Sequence, residues 1–193
     1  MIEYTLIRSD RRTLSMQIKG VELIVRAPMR ASKKRIDAFV LENSAWIERN
    51  LKKAEAQQIR AERQGALGEE ELRALAQRAR EYLPERVSYY APLIGVTPGR
   101  ITVRSQRTKW GSCSAKGNLS FNCILMLTPP EVIDSVVVHE LCHLKEMNHS
   151  DRFYREVYRA FPEYDKWNGW LKRNGGVLLR RMTSVEPEAD EEE

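Results

Sequence analysis

Three short runs in which apolar and polar residues partly alternate open the chain, at positions 2–7, 13–18 and 21–26. Turn-forming residues separate the runs, Ser9-Asp10-Arg11-Arg12 first and Lys19-Gly20 second. Alternation with a period of two indicates half-buried strands, and short connections indicate that neighbouring strands are antiparallel. The pattern therefore predicts a small antiparallel β-meander.

The spacing of apolar residues changes to a helical period after residue 30. Ser32 is a favoured helix N-cap. The apolar positions that follow recur every three or four residues and are Ile36, Phe39, Val40, Trp46, Ile47 and Leu51. Asn43-Ser44 interrupts this pattern, which predicts two helices in tandem. The charged stretch 52–64 has high helix propensity but little apolar surface, so it extends the second helix as a solvated segment. Gly65 and Gly68 then punctuate the chain.

The next elements alternate between helix and strand. A long amphipathic helix is predicted at 69–92, where Pro84 is expected to kink or restart it. A strand at 100–104, a loop at 105–117 and a second strand at 118–127 follow. Because small and polar residues fill the loop, it is predicted to be a binding loop.

Three independent marks predict that a helix begins at Thr128. Threonine is a capping residue, Pro129 fits the first helical position, and Glu131 completes a capping box. The apolar positions cover nearly every face, so the helix is predicted to be buried. They are Val132, Ile133, Val136, Val137, Val138, Leu141 and Leu144. Two further helices follow, one capped by Ser150 and one expected to stop at Gly175-Gly176.

The predicted buried helix carries His139, Glu140 and His143 in the H-E-x-x-H pattern. A step of four residues is a little over one turn, so the two histidines project from one face and can bind one metal ion. Glu140 lies about 100° around the helix from His139. That position suits a base acting on a water held by the metal. Burial strengthens this interpretation, since unpaired imidazoles in a core are costly and a metal would satisfy both.

His149 is the third and last histidine of the chain. In an unbroken helix it would lie about 120° around from His143 and about 9 Å further along the axis. The chain must therefore leave the helix between them if His149 is to bind the same metal. Asn148 tolerates the left-handed conformation that ends helices and is the predicted stop. The alternative is a helix that merely carries histidines on its surface. Cys142 is expected to be a small buried packing residue rather than a ligand.

Length and charge limit the classes of protein that fit. The 193 residues suit one compact domain with a small appended part. We predict an N-terminal part at 1–64, a catalytic part at 65–182 and a disordered acidic tail at 183–193. The formal charge is +5, and because the tail holds six acids and no base, the body carries +11. Such a body suggests an anionic partner, although a soluble Arg-rich surface explains the charge equally well.

No stretch of the sequence reaches the length of a membrane span, and the N-terminus lacks the layout of a signal peptide. The three cysteines are an odd number without a disulfide framework, which agrees with a reducing compartment. A cytoplasmic location is therefore the default expectation, and no membrane partner is expected. The oligomeric state stays open.

The loop at 105–117 supplies candidate substrate-binding side chains, namely Arg107, Lys109, Trp110 and Ser112. Arg107 could bind a phosphate or a carboxylate at two points. Trp110 could stack on a ring or cap the core, and core capping is the commoner outcome.

These residues resemble the YgjP-like metallopeptidase domain, which is related to the SprT and WLM zincins. The resemblance extends from the first strands to about residue 175. It rests on Arg107, Trp110-Gly111-Ser112-Cys113, Gly117, Asn122, His139-Glu140-Leu141-Cys142-His143-Leu144, Asn148-His149-Ser150, Phe153, Pro162 and Trp167. It implies an α+β fold whose zincin-like core packs the buried HExxH helix on a small antiparallel sheet. It also implies one zinc ion held by His139, His143 and His149. Glu140 would then be the catalytic base.

The resemblance favours a zinc metallopeptidase but leaves the reaction open. Members of the family are also described as pyrophosphatases of nucleoside triphosphates such as UTP, so nucleotide hydrolysis on the same metal site is the alternative. A zinc-stabilised module that binds nucleic acid is a third interpretation. It is the weakest, because a structural zinc site usually has four protein ligands.

The two hydrolase interpretations use the same segments differently. In the peptidase, the strand at 118–127 would pair along its edge with an extended substrate. In the nucleotide hydrolase, basic residues of the loop would bind phosphates and Trp110 could stack on the base. Both need a donor for the developing oxyanion. The candidates are Arg107, Tyr154, Tyr158 and Tyr164.

Overall fold

The computed structural model describes residues 2–182, and within them the fold is mixed α+β, as predicted. Six strands lie in that range: β1 (Thr5–Ser9), β2 (Ser15–Lys19), β3 (Glu22–Pro28), β4 (Ile101–Arg104), β5 (Gly111–Cys113) and β6 (Leu119–Asn122). Six α-helices lie there too: α1 (Lys33–Glu42), α2 (Ser44–Gln64), α3 (Glu69–Ile94), α4 (Pro130–Cys142), α5 (Asp151–Ala160) and α6 (Tyr164–Arg180). A 3₁₀ helix over Cys123–Leu127 connects β6 to α4. The predicted disordered tail at 183–193 lies outside the described residues.

The chain divides into two compact units, the first ending at Arg63 and the second beginning at Gln64. In the first unit the strands form a sheet in the order β1-β3-β2. β2 is antiparallel to β3, as predicted, but β1 is parallel to β3, so the predicted meander is wrong in the pairing of β1. β3 takes the central place because it is the most apolar of the three strands, with Leu23, Val25 and Ala27 buried.

The tandem helices of the first unit pack on the buried face of this sheet. Ser32 caps α1, because its Oγ accepts a hydrogen bond from the backbone N–H of Arg35 at 3.3 Å. Asn43 separates α1 from α2, also as predicted. Ile36 and Ile47, both fully buried, join the apolar residues of β3. The first unit therefore has a hydrophobic core of its own.

The second unit contains a sheet in the order β4-β6-β5. β6 is parallel to β4 and antiparallel to β5, so the sheet is mixed. The prediction of an antiparallel sheet is therefore wrong. β5 lies within the predicted loop, because three residues are too few for alternation to show a strand. β6 is shorter than predicted. It ends at Asn122, whose side chain accepts a hydrogen bond from the N–H of Ile124 and starts the 3₁₀ helix.

The position of β6 also changes which strand a peptide could extend. β6 has a hydrogen-bonded neighbour on each side, so its edges are occupied. The expectation that the strand at 118–127 pairs with a substrate along its edge is therefore wrong. β5 and β4 are the outer strands of this sheet.

α3 is one continuous helix although Pro84 lies inside it, so the predicted restart is wrong. A proline inside a helix removes one backbone hydrogen bond. Burial of the helix face offsets this loss, since Leu83 and Val87 are almost inaccessible to solvent. Gly95, with a φ of 80°, ends the helix in the left-handed conformation.

α4 begins at Pro130, and Thr128 does not cap it. The hydroxyl of Thr128 instead donates to the carbonyl of Leu125 at 2.7 Å and closes the 3₁₀ helix. The predicted capping box therefore does not form, because the 3₁₀ helix uses the threonine first. Ten of the thirteen residues of α4 are buried, as predicted, so the helix carries its polar side chains into the core.

A charged cluster joins α4 to α3. Arg86 of α3 donates two hydrogen bonds, at 2.7 and 2.9 Å, to the buried carboxylate of Asp134 on α4. The hydroxyl of Tyr90 donates a third at 3.1 Å. Asp134 is therefore paired and hydrogen-bonded, which is the condition under which a charge is tolerated in a core.

α6 runs through Gly175-Gly176, where the sequence predicts a stop. Gly175 serves packing rather than termination, because a Cβ on it would lie 2.8 Å from Cζ2 of Trp110. The missing side chain lets the indole approach the helix closely while the backbone stays helical.

α4 packs against α3, α5, α6 and β5. Within residues 2–182, none of the helices has the length and apolar character needed to span a membrane.

Candidate metal centre

His139 and Glu140 lie in the last turn of α4, and His143 follows directly after the helix. The backbone of His143 keeps helical angles, with φ −64° and ψ −19°, so its side chain stays one turn from His139. The helix ends at Cys142, and the stop predicted at Asn148 is wrong. None of the non-glycine residues described has a positive φ, so the turn toward the third histidine needs no left-handed residue.

The three histidines converge through their Nε2 atoms. The Nε2 of His139 lies 3.2 Å from that of His143 and 3.0 Å from that of His149. In the described part of the chain, this is the one group of three or more side chains placed to hold a metal ion. Tetrahedral zinc with Zn–N bonds of about 2.0–2.1 Å would separate its nitrogens by about 3.3 Å. The observed spacing therefore fits a zinc ion.

The Nδ1 atoms of His139 and His143 have hydrogen-bond partners, and the partner of His143 favours metal binding through Nε2. The Nδ1 of His143 lies 3.1 Å from the carbonyl oxygen of Glu146. A carbonyl only accepts hydrogen bonds, so the proton of a neutral His143 resides on Nδ1 and its Nε2 carries a lone pair. The Nδ1 of His139 lies 2.8 Å from the hydroxyl of Tyr164.

The ring of Phe153 packs against all three imidazoles and is fully buried. The three ring-centroid distances lie between 4.7 and 4.9 Å. Ser150 caps α5, as predicted, by accepting a hydrogen bond from the N–H of Phe153 at 3.4 Å. The same cap therefore starts α5 and holds the aromatic ring against the histidines.

The electrostatics keep the histidine lone pairs available. Burial, with the nearby His143 and His149 adding to it, lowers the pKa of His139 to about 4. Burial also lowers the pKa of His143. Both imidazoles are therefore neutral at pH 7, and the neutral form is the one that binds a metal.

Glu140 is only 6% exposed, and burial raises its pKa to about 7, with the Lys109 ammonium opposing the rise. Gly111 of β5 lies directly against this side chain. A Cβ on Gly111 would be 2.7 Å from Cγ of Glu140 and 2.8 Å from its Oε1, which is closer than non-bonded atoms approach. β5 therefore requires a glycine where it packs on α4. A carboxyl group with a pKa near 7 exchanges a proton readily at neutral pH.

A cavity of about 240 Å³ opens beside Glu140 and His139. Three segments form its walls: residues 108–111, the second half of α4, and the first half of α6. The lining residues are Thr108, Lys109, Trp110, Gly111, Ser135, Val136, His139, Glu140, Tyr164, Asn168 and Leu171. The cavity is large enough for one side chain of a substrate.

Two of the four predicted substrate-binding residues line this cavity. Lys109 is exposed, whereas Trp110 is partly buried and packs against the core. Arg107 and Ser112 are not among the lining residues, and Ser112 lies in β5 opposite Ser120 of β6.

The predicted oxyanion donors differ in their surroundings. The hydroxyl of Tyr164 contacts His139, whereas the exposed Tyr158 donates to the carboxylate of Asp165 at 3.1 Å. The ring of Tyr154 lies 6.3 Å from the ring of His149.

Sequence reasoning missed two contacts at this site, those of Tyr164 with His139 and of Gly111 with Glu140. Each partner is more than twenty residues away along the chain, and no local pattern marks either contact. Cys142, in contrast, behaves as predicted. It is fully buried, and burial raises the pKa of its thiol to about 12, which disfavours the thiolate that a metal would need.

The chain is similar to a known protein family in sequence and to solved metallopeptidase structures. Residues 12–72 and 69–174 match the model of a family described as YgjP-like, metallopeptidase domain. The zymogen structure of the metallopeptidase abylysin from Pyrococcus abyssi is 24% identical, with a TM-score of 0.42, and the match covers 48% of this chain and 97% of that one. The zymogen structure of jannalysin from Methanocaldococcus jannaschii is 21% identical, with a TM-score of 0.43, covering 47% and 94%. No curated protein sequence matches significantly.

Proposed function

The chain belongs to the YgjP-like family of metallopeptidase domains, and on this premise we propose that it is a zinc-dependent peptidase. His139, His143 and His149 would hold one zinc ion. The observation that carries the proposal is the convergence of three Nε2 atoms, two pairs of which lie 3.0 and 3.2 Å apart. Three neutral imidazoles that all present an Nε2 lone pair at this distance repel one another, and a shared cation removes that repulsion.

Glu140 is the proposed catalytic base. When bound, zinc supplies Lewis-acid chemistry, polarising the attacked carbonyl and making water acidic enough to react near neutral pH. Glu140 would accept the proton from the attacking water and return it to the leaving amine. Burial, which raises its pKa to about 7 in the metal-free protein, favours the protonated form that the second step needs. Gly111 packs directly against this side chain.

β5 is the proposed docking strand for the substrate. It is an outer strand of its sheet, and its first residue, Gly111, touches Glu140. An extended peptide paired with β5 would therefore run beside the catalytic carboxyl group, with backbone hydrogen bonds fixing its register.

The predicted substrate-binding residues would act on the side chains of that peptide. Trp110 would form an apolar wall of the cavity. The ammonium of Lys109 is close enough to Glu140 to oppose the rise in the pKa of that carboxyl group, and it would bind an oxygen of the substrate. Arg107 and Ser112 would contact the peptide further from the cavity.

Comparison of wild type with Glu140→Gln tests the proposal. Casein and a panel of nucleoside triphosphates are the substrates, and zinc content is measured first in both proteins. We expect wild type with one zinc per chain to cleave casein and the variant to retain zinc but lose turnover. Hydrolysis of triphosphates alone, abolished by the substitution, would reject the peptidase. Activity on neither, with salt-sensitive nucleic-acid binding in both proteins, would favour the binding module. Neither alternative gains support from the comparisons.

A further inference from the structure

Tyr164 is the first residue of α6, and its hydroxyl reaches across to α4. The hydroxyl oxygen lies 2.8 Å from Nδ1 of His139, and the two rings are nearly parallel, at 13°. The side chain is held firmly, since Tyr164 is only 4% exposed and belongs to the main core of its unit. Contacts with other core residues therefore fix the position of the ring.

The direction of this hydrogen bond decides whether His139 can bind a metal through Nε2. If the tyrosine donates to Nδ1, a neutral imidazole carries its proton on Nε2 and has no lone pair there. If the imidazole donates from Nδ1 to the tyrosine oxygen, the lone pair of Nε2 faces the other two histidines. Metal binding requires the second arrangement.

His139 and His143 are oriented by different kinds of hydrogen-bond partner. His143 donates to the backbone carbonyl of Glu146, a partner that every residue type would supply. His139 depends on a side chain instead, and that side chain is a tyrosine 25 positions further along the chain. The orientation of His139 is therefore the one that a single substitution can remove.

We propose that Tyr164 is a positioning residue of the metal centre, which accepts the Nδ1–H of His139 and so fixes the tautomer and ring orientation that direct Nε2 at the zinc ion. This inference rests on the proposed function, because it assumes that the histidines hold zinc. It gives Tyr164 a role other than oxyanion stabilisation. An oxyanion donor would change turnover and leave the affinity for zinc unchanged.

The test measures zinc affinity, by competition with a chromophoric chelator, in wild type, Tyr164→Phe and Tyr90→Phe. Phenylalanine keeps the ring and removes only the hydroxyl. Tyr90 is a matched control, since its buried hydroxyl bonds Asp134 rather than a histidine. We expect Tyr164→Phe to bind zinc about 10- to 100-fold more weakly and Tyr90→Phe to bind it as wild type does. Equal affinity in wild type and Tyr164→Phe would overturn the inference.

A second measurement needs no variant. In zinc-loaded wild type, the Nδ1–H proton of His139 should appear in the NMR spectrum as a slowly exchanging signal, because the buried tyrosine oxygen holds it. A proton that exchanges as fast as that of a solvated imidazole would overturn the inference even if Tyr164→Phe failed to fold. If wild type binds no zinc, the proposed function fails first, and with it the premise of the inference.

Discussion

Replacing Glu140 with glutamine should stabilise the metal-free protein at pH 8 and change its stability little at pH 5. Glutamine has nearly the same shape, so the contact with Gly111 is kept while the ionisable group is lost. Burial raises the pKa of Glu140 from 4.5 to about 7 in the folded protein. The folded state therefore favours the protonated carboxyl group and opposes its ionisation.

The sign and the magnitude follow from proton linkage. Because the pKa of this acid is raised by folding, its contribution to stability is complete below pH 4.5 and is lost as the pH rises through about 7. At about 1.4 kcal/mol for each pH unit, the loss reaches about 3 kcal/mol at pH 8. At pH 5 it stays below about 1 kcal/mol. The free energy of unfolding of Glu140→Gln should exceed that of wild type by this growing amount.

Urea denaturation in the presence of a chelator, followed by tryptophan fluorescence, measures the difference at both pH values. Glu85→Gln, which removes an exposed charge from α3, controls for the change in net charge. The predicted quantity is the change, between pH 5 and pH 8, in the stability difference between Glu140→Gln and wild type, so effects of the amide that do not depend on pH cancel. A difference between wild type and Glu140→Gln that is the same at both pH values would refute the prediction.

Three further predictions concern other residues of the second unit. Gly111→Ala should lower kcat by about 100-fold while leaving zinc affinity unchanged, because the new Cβ displaces the Glu140 carboxyl group; steady-state kinetics and a zinc titration check this, and parallel loss of zinc would contradict it. Metal-free Glu140→Gln, which lacks the opposing titration of Glu140, should lose up to about 3 kcal/mol of stability as the pH falls from 6.5 through about 4, because the buried His139 must take up a proton; the same protein with His139→Gln added should lose less in the same urea series. Asp134→Ala should lower the free energy of unfolding by roughly 2–4 kcal/mol, since it leaves Arg86 without its partly buried partner; a loss below about 0.5 kcal/mol would show that the pair behaves as a surface ion pair.

Several features of the fold were predictable because their causes lie within a few residues. Ser32 and Ser150 cap helices through bonds to residues three positions ahead, and the break at Asn43 follows from a local change in pattern. The burial of α4 was predictable for the same reason, as apolar side chains on nearly every face of a helix leave it no face for water.

Two of the wrong predictions concern residues that make a different contact from the one expected of their type. Threonine is a favoured helix N-cap, but the hydroxyl of Thr128 donates to the carbonyl of Leu125 and ends a 3₁₀ helix that the sequence does not reveal. Glycine often ends a helix, but Gly175 instead leaves room for the indole of Trp110, more than sixty residues away along the chain. In each case the residue type commonly has the predicted role, but a contact that the local pattern does not reveal gives it another one.

By itself, the sequence determined that His139 and His143 share one helical face and that the chain must leave the helix before His149, since both follow from the pitch of an α-helix. Only the tertiary structure decided the mixed order of the sheet, the approach of Gly111 to the Glu140 carboxyl group, and the contact of the Tyr164 hydroxyl with His139. The physical reason is that backbone periodicity and capping act over a few residues. Strand order, close packing and outer contacts of a metal site instead depend on the free energy of bringing distant segments together.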